Sequence, residues 1–384
     1  MKNYKGSYLS YFLMYMFYYL SMALFSGLIS VYLMDKGYSA SNVSFVVSSS
    51  FILSMITQPF IGNLCDIYDK RMINGLLLML AGVVSIIFIF MDNIYLIAIE
   101  YSIVLSILNG VNPIVERMAV VSKHNYGLIR IWGTIGYATG SQISGLIYRY
   151  ISPNAMYIFF AGTIILCVAG ILGTKDVKEV ENKSKEKTSM KDVLFNKKLL
   201  YYLIIVCIFY GITNVNSIYL PAMYQHSGLS VSQATTVIFA ATMMELPIIL
   251  FSRYYMNKIG NKQLLSCAFI LLIVQFMTYA YIPNVMIQVI VTLLTKSIAT
   301  MAFIMINMKV IATIIDESHQ IAALSIVSTF KSFSSILFQL IAGYLIDLYS
   351  YHFFYMVLFI CAIIGFILCI SYRIPDGNKH RLFD

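Results

Sequence analysis

Five charged residues of this chain fall in the predicted core of its long apolar runs, where a charge is costly unless it is paired or faces water. They are the acids Glu116 and Glu245 and the bases Arg130, Lys296 and Lys331. Charged side chains in such places bind a polar solute, form ion pairs between helices, or gain and lose a proton. Three bases against two acids leave one cation unmatched. This excess favours either a solute with a carboxylate or phosphate group or a lysine that only holds helices together.

The run from Gly127 to Gly145 is the element that must position Arg130. It is apolar and rich in Gly, Ala, Ser and Thr, and small residues of this kind let helices approach closely inside a bilayer. We therefore expect a membrane helix that lines a polar path, with Arg130 near its start.

Composition indicates an all-α membrane protein that crosses the bilayer many times. The chain has 384 residues, of which 60% are hydrophobic and 11% charged, and its mean hydropathy is +0.80. A soluble domain carries about 25% charged residues. Because one crossing takes roughly 20 apolar residues, we predict about twelve membrane-spanning helices. The composition argues against nucleic-acid binding, since no soluble surface of interleaved basic and aromatic residues is present.

The apolar runs group into two sets of six around one charged segment. This segment, 174–198, is long, hydrophilic and of mixed sign, as is typical of a solvated linker. We predict two pseudo-symmetric six-helix domains over 1–173 and 199–373, a cytoplasmic linker over 174–198 and a cytoplasmic tail over 374–384. The predicted spans are 8–33, 42–64, 73–91, 94–120, 125–150, 155–173, 199–224, 230–256, 264–281, 285–315, 321–348 and 352–372. A weak internal repeat supports the duplication, because 145–157 aligns with 343–355.

The basic residues predict the orientation of the chain in the membrane. They collect at the termini, in the linker and in alternate loops, whereas the opposite loops hold little beyond Lys36 and Arg149. Lys and Arg are enriched in cytoplasmic loops. We therefore expect both termini to be cytoplasmic and the chain to lie in the cytoplasmic (inner) membrane, in contact with lipid.

The sequence favours a transporter over an enzyme. The six cysteines are scattered, and no Cys/His spacing predicts a metal site or a disulfide framework. No phosphate-binding loop or nucleophile elbow stands out, so we expect no cofactor and no metal. Movement of a solute would then run on an ion gradient or downhill.

One short motif identifies a superfamily by resemblance. Gly62, Asp66, Lys70 and Arg71 form a Gly-x-x-x-Asp segment followed by a basic pair, which resembles the loop signature of the major facilitator superfamily. The resemblance implies that Gly62 permits a close helix contact and that Asp66 pairs with basic residues as the protein changes conformation. Asp69 stands where the superfamily usually has Gly, which predicts a distorted turn.

A narrower resemblance covers helices four and five. The segment Arg130-Ile-Trp-Gly-Thr-Ile-Gly-Tyr137 resembles helix five of the nucleoside:proton symporters and that of the oligosaccharide:proton symporters, which are lactose permease-like. In the nucleoside family it implies that Arg130, Thr134 and Tyr137 face the substrate. In the oligosaccharide family it implies an ion pair, because Pro113-Ile-Val-Glu116 matches that family's Pro-x-x-Glu. We therefore predict that Glu116 pairs with Arg130.

The second half matches these families in part. Asn214 matches a substrate-contacting Asn of the nucleoside symporters, and Glu245 has the spacing of their helix-eight Glu from Gly260. Lys331 matches a lysine of the oligosaccharide group. Helix ten departs from both families, since Lys296 has no acid or histidine near it in sequence. This departure implies that proton coupling would run through Glu116 or Glu245.

The resulting prediction is a monomeric secondary transporter that moves a small polar solute, such as a nucleoside, a sugar or a related metabolite, together with protons. Arg130, Thr134, Tyr137, Asn214, Glu245, Lys296 and Lys331 are the predicted solute-binding residues. Two alternatives stay open: a proton-coupled exporter of drugs or metabolites, and a non-transporting receptor or channel on the same fold.

Overall fold

The chain folds into helices in a computed structural model that describes residues 4–175, 196–256, 258–315 and 320–371. Within these ranges there is no strand, which confirms the predicted all-α class. The helices, numbered along the chain, are α1 (Tyr8–Ser26), α2 (Ile29–Asp35), α3 (Ala40–Ile67), α4 (Lys70–Phe88), α5 (Ile94–Val120), α6 (Tyr126–Tyr150), α7 (Ala155–Gly173), α8 (Lys197–His226), α9 (Val231–Met243), α10 (Glu245–Leu250), α11 (Ser252–Met256), α12 (Asn261–Tyr281), α13 (Val285–Ile314), α14 (Gln320–Leu348) and α15 (Tyr351–Ser371).

Eleven helical segments of the described residues are long and apolar enough to cross a membrane. Helix α6 is not among them, because its 25 residues include five glycines together with Arg130 and Arg149. At about 1.5 Å per residue it is nevertheless about 37 Å long, which exceeds the roughly 30 Å of a hydrocarbon core. Helix α6 is therefore long enough to be a twelfth span, in agreement with the predicted count.

Two of the predicted spans are interrupted. The first is divided at Gly27 and Leu28 into α1 and α2, and the eighth is divided into α9, α10 and α11. Pro247 explains the break before α10, since a proline has no N–H to donate and its ring crowds the carbonyl of the residue four positions earlier, here Met243. Helix α9 accordingly ends at Met243, and Glu245 begins the next short helix.

The described residues divide into two compact units. The first contains the residues up to 175 together with Ile218–Met243, and the second contains residues 196–217 together with those from Met244 onward. In the first unit α1 packs against α6 and α7, α3 against α5, α4 against α5 and α7, and α9 against α6. In the second unit α12 packs against α13 and α15. Residues 176–195 of the predicted linker and the whole predicted tail lie outside the described residues.

Glycines hold α6 close to α1 in the first unit. A Cβ added at Gly136 would overlap the carbonyl oxygen of Met16, and one at Gly140 would lie 2.6 Å from the carbonyl oxygen of Leu20. A Cβ at Gly145 would overlap the Thr235 side chain of α9. The small-residue run of the sequence therefore brings α6 into backbone contact with α1, as small residues do between membrane helices.

Candidate functional site

Helices α5 and α6 form a hairpin that brings two charged residues to the same level. Glu116 lies four residues before the end of α5 at Val120, and Arg130 lies four residues after the start of α6 at Tyr126. The Asn125 side chain caps the start of α6 by accepting a hydrogen bond from the Gly127 N–H at 2.9 Å, which fixes where the helix begins. Because Glu116 and Arg130 are equally far along their helices from the turn between α5 and α6, their side chains lie next to each other.

The structure brings Glu116 and Arg130 together as an ion pair within a cage of hydroxyl groups. Arg130 Nη1 lies 3.1 Å from Glu116 Oε1. Tyr15 and Tyr19 of α1 donate to the same oxygen at 2.7 and 2.8 Å. Tyr126 donates to Oε2 at 2.8 Å. Four donors match the roughly four acceptor positions of a carboxylate, so Glu116 joins α1, α5 and α6.

Arg130 forms hydrogen bonds with fewer of its polar atoms than Glu116 does. Its Nη1 also donates to the Tyr126 hydroxyl at 3.0 Å, but Nε and Nη2 donate no hydrogen bond to any described residue. The side chain is 31% exposed. A guanidinium has five N–H donors in a fixed fork, and those on Nε and Nη2 donate to no described residue.

Thr134 and Tyr137 follow Arg130 at four and seven residues along α6. This spacing places the three on one face of the helix. Thr134 and Tyr137 are both half-buried, and Tyr137 lies near enough to Tyr101 of α5 to interact with it electrostatically. Helix α6 therefore presents a guanidinium, a hydroxyl and a phenol in a row, on a face adjacent to the glycines that contact α1.

A second polar cluster lies between α8 and α14 in the second unit. The ammonium of Lys331 is 4.7 Å from the centre of the Tyr210 ring, within range of a cation–π interaction. One turn further along both helices, the Asn214 amide donates to the Ser335 hydroxyl, which donates to the Lys331 carbonyl oxygen at 2.8 Å. The predicted residues Asn214 and Lys331 are thus neighbours.

The two remaining predicted charged residues also lie in the second unit. Glu245, half-buried at the start of α10, interacts electrostatically with Lys296 of α13. Lys296 is half-buried near the middle of its helix. The break caused by Pro247 therefore places a carboxylate close enough to a lysine of a neighbouring helix to interact with it electrostatically.

The signature loop is described only in part. Asp69 caps α4 by accepting from the Arg71 N–H at 2.9 Å, and its carboxylate pairs with the Arg71 guanidinium at 2.8 Å. These bonds hold the pKa of the Asp69 carboxyl below its usual range. The turn predicted to be distorted is thus closed by a helix cap. Lys70 begins α4, and the Asp66 side chain lies outside the described residues. A Cβ added at Gly62 meets no described atom within 4 Å, so the expected close contact is not formed at this position in this structure.

The sequence interpretation missed the tyrosine hydroxyls around Glu116. With 30 tyrosines in the chain, no single tyrosine stands out, but spacing offered a signal. Tyr15 and Tyr19 are four residues apart, as are Tyr126 and Arg130, and such pairs share one helix face. Among the described residues, no group of His, Cys, Asp and Glu is arranged to hold a metal ion.

Two compact units of long apolar helices, with charged residues inside those helices, define a multi-pass membrane protein. The sequence profile of the MFS_1-like family matches residues 8–378, and the chain belongs to this family of transporters.

Relatives along the full length agree with this family. The chain is 23% identical over 378 residues to the uncharacterized transporter YwbF of Bacillus subtilis (strain 168), covering 96% of this chain and 94% of that protein. It is 22% identical over 363 residues to a maltose permease of Geobacillus stearothermophilus, covering 91% of each.

Solved structures share the fold at low sequence identity. A D323A mutant of the nucleoside transporter NupG superposes with a TM-score of 0.84 at 13% identity, covering 94% of this chain and 98% of that one. A D-xylose-proton symporter superposes with a TM-score of 0.72 at 16% identity, covering 97% and 98%. These likenesses confirm the predicted major facilitator fold.

Proposed function

We propose that the chain is a proton-coupled secondary transporter of a small polar solute, of the size of a nucleoside or a sugar, that works by alternating access. The proposal rests on the surroundings of the Arg130 guanidinium. Its charge is matched by Glu116, yet Nε and Nη2 donate to no described residue, and Thr134 and Tyr137 continue the same face. Similarity to a maltose permease, a nucleoside transporter and a xylose–proton symporter supports this solute class.

Glu245 is the first candidate for the coupled proton, and Glu116 is the second. Glu116 already accepts four hydrogen bonds that join three helices, so releasing it would disturb the packing of the first unit. Glu245 is half-buried at a helix break beside Lys296. A carboxylate that exchanges between a lysine, a solute and a proton can couple their movements.

The proposal includes the predicted arrangement in the membrane. Both termini and the 174–198 linker face the cytoplasm, and a single chain in the inner membrane is the working unit. Gly62, Asp66, Lys70 and Arg71 act in the change of conformation.

The test is uptake into proteoliposomes under an imposed pH gradient, with radiolabelled uridine, maltose and xylose. We expect at least one of these to accumulate, with alkalinisation of the outer medium. Removing a charged hydrogen bond to the solute costs about 1.5–3 kcal/mol, so Arg130→Ala should lower the apparent affinity at least about tenfold. Lys123→Ala, in the exposed loop between α5 and α6, is the control.

The outcomes separate the alternatives. Equilibration without accumulation would indicate a channel, and binding without flux would indicate a receptor. Movement only out of loaded vesicles would indicate an exporter. If Glu245→Gln and Glu116→Gln both still move protons, the assignment of the coupling residue is wrong.

A further inference from the structure

The packing contact between α8 and α14 does not depend on the Lys331 ammonium. Asn214 donates to Ser335, and the Ser334 hydroxyl donates to the carbonyl oxygen of Cys207. A Cβ added at Gly211 would lie 2.6 Å from Ser334 Oγ, so the two helices are in close contact there. These contacts fix the backbone of α14 in the turn that follows Lys331. The lysine is therefore not needed to join the helices.

The ammonium of Lys331 has a ring beneath it and no carboxylate beside it. Its described contact is the face of Tyr210, whose own side chain is only 6% exposed. No described carboxylate lies within 4.0 Å of the Lys331 ammonium, in contrast to the pair formed by Arg130 and Glu116. A lysine ammonium has three N–H donors, and a ring face does not satisfy them all.

Lys331 lies well within the membrane and is exposed. It is eight residues from the nearer end of the span Ala323–Leu348, or about 12 Å along the helix axis. An exposed charge at this depth is costly against lipid and is normally found facing water or a binding path. A water-filled solute path is the environment that fits.

The other four of the five core charges each have an oppositely charged neighbour. Glu116 is paired with Arg130, and Glu245 lies beside Lys296. Lys331 is the cation left over among these five residues. A fixed cation on a solute path is best compensated by a negative group that arrives with the solute.

We infer that Lys331 binds an oxyanion group and that the transported solute carries one carboxylate or phosphate. This inference rests on the proposed function and narrows it from polar solutes in general to anionic ones. The Tyr210 ring holds the ammonium in place, and Asn214, one turn away, offers an amide to the rest of the solute.

The experiment uses matched pairs of solutes that differ in one anionic group. The pairs are glucose with glucuronate, glucose with glucose 6-phosphate, and uridine with uridine 5′-monophosphate, offered to proteoliposomes that contain the full chain. We expect uptake of the charged member of at least one pair to exceed that of its neutral member. The first two pairs distinguish a carboxylate from a phosphate.

Variants assign the effect to Lys331. Lys331→Gln should weaken the apparent affinity for the charged solute at least about tenfold, as expected for losing a charged hydrogen bond, and should affect the neutral member less. Lys331→Arg keeps the charge and should restore most of the affinity. Lys258→Gln, in the exposed loop after α11, controls for the loss of one positive charge.

Each result decides the matter. Uptake of the neutral members alone would overturn the inference and leave the proposed function standing, as would unchanged affinity for the charged solute in Lys331→Gln. Failure of every solute to bind or move would overturn both the inference and the proposed function for these classes of solute. If Lys331→Gln does not fold, the wild-type comparison within each pair decides alone.

Discussion

Glu116 and Lys331 are both charged residues inside membrane helices, but they differ in how many groups surround them. Glu116 accepts hydrogen bonds from three tyrosine hydroxyls and from Arg130. Lys331 lies over one aromatic ring, with no described carboxylate in contact. The first charge is satisfied within its own unit, whereas the second is not.

This difference between Glu116 and Lys331 shows that charged residues in one chain can serve either helix packing or ligand binding. A satisfied charge holds helices in a fixed arrangement, because removing either partner leaves the other uncompensated. An unsatisfied charge contributes little to packing but is available to a ligand. The charge in the first unit would then serve stability, and the charge in the second unit would be available for binding.

Breaking the Glu116 cage should have the largest effect on stability. Glu116→Leu leaves the Arg130 guanidinium without its carboxylate and three tyrosines without their acceptor. Breaking a buried pair costs about 3–5 kcal/mol, and because Glu116 and Arg130 are 24% and 31% exposed, we expect about 2–3 kcal/mol here, after discounting for solvent. Thermal unfolding of the purified protein in detergent would measure it as a lower midpoint.

Two companion variants make this comparison decisive. The double variant Glu116→Leu with Arg130→Leu should recover part of the loss, since no unpaired charge remains. Lys331→Leu should leave the midpoint unchanged or raise it slightly. A midpoint that falls as far for Lys331→Leu as for Glu116→Leu would show that the two charges do not differ as we describe.

The packing glycines offer a second comparison, with an intermediate effect. A Cβ at Gly136 would meet the Met16 backbone, whereas one at Gly211 would meet the side chains of Ser334 and Phe338. Side chains can move aside more easily than a backbone. Gly136→Ala should therefore cost about 1–3 kcal/mol, as overpacking does, and Gly211→Ala should cost less.

Gly162→Ala is the matched control, because a Cβ there meets no described atom within 4 Å. It should leave the unfolding midpoint where it is. If Gly136→Ala were as harmless as Gly162→Ala, the backbone contact between α6 and α1 would not exist in the protein as it folds in a membrane.

Helix positions could be predicted from the sequence because apolar runs of membrane length leave few choices. The predicted spans at 94–120 and 155–173 coincide with α5 and α7. The break before α10 was missed, although Pro247 is visible in the sequence. A proline in a membrane helix either bends it or ends it, and neighbouring helices decide which.

The charged residues of the site could be identified from the sequence, but their surroundings could not. A charge in an apolar run is rare, so Arg130 and Glu116 stand out without an alignment. Tyrosine is abundant in this chain, and whether a given hydroxyl faces lipid or a carboxylate depends on helix rotation. That rotation is set by packing between distant segments, such as the contact of Gly136 with Met16.

A single hydroxyl of the cage should give the smallest effect and the sharpest test of its geometry. Tyr126→Phe removes the one hydrogen bond to Glu116 Oε2 and a contact with Arg130, but keeps the ring. A hydrogen bond contributes about 0.5–1.5 kcal/mol net, and more where one partner is charged, so the midpoint should fall slightly. Tyr150→Phe, exposed at the end of α6, should not change it. In the background of the double variant Glu116→Leu with Arg130→Leu, Tyr126→Phe should have almost no effect, because both polar partners of its hydroxyl are gone. An equal loss in both backgrounds would mean that the Tyr126 hydroxyl stabilises the fold through some other contact.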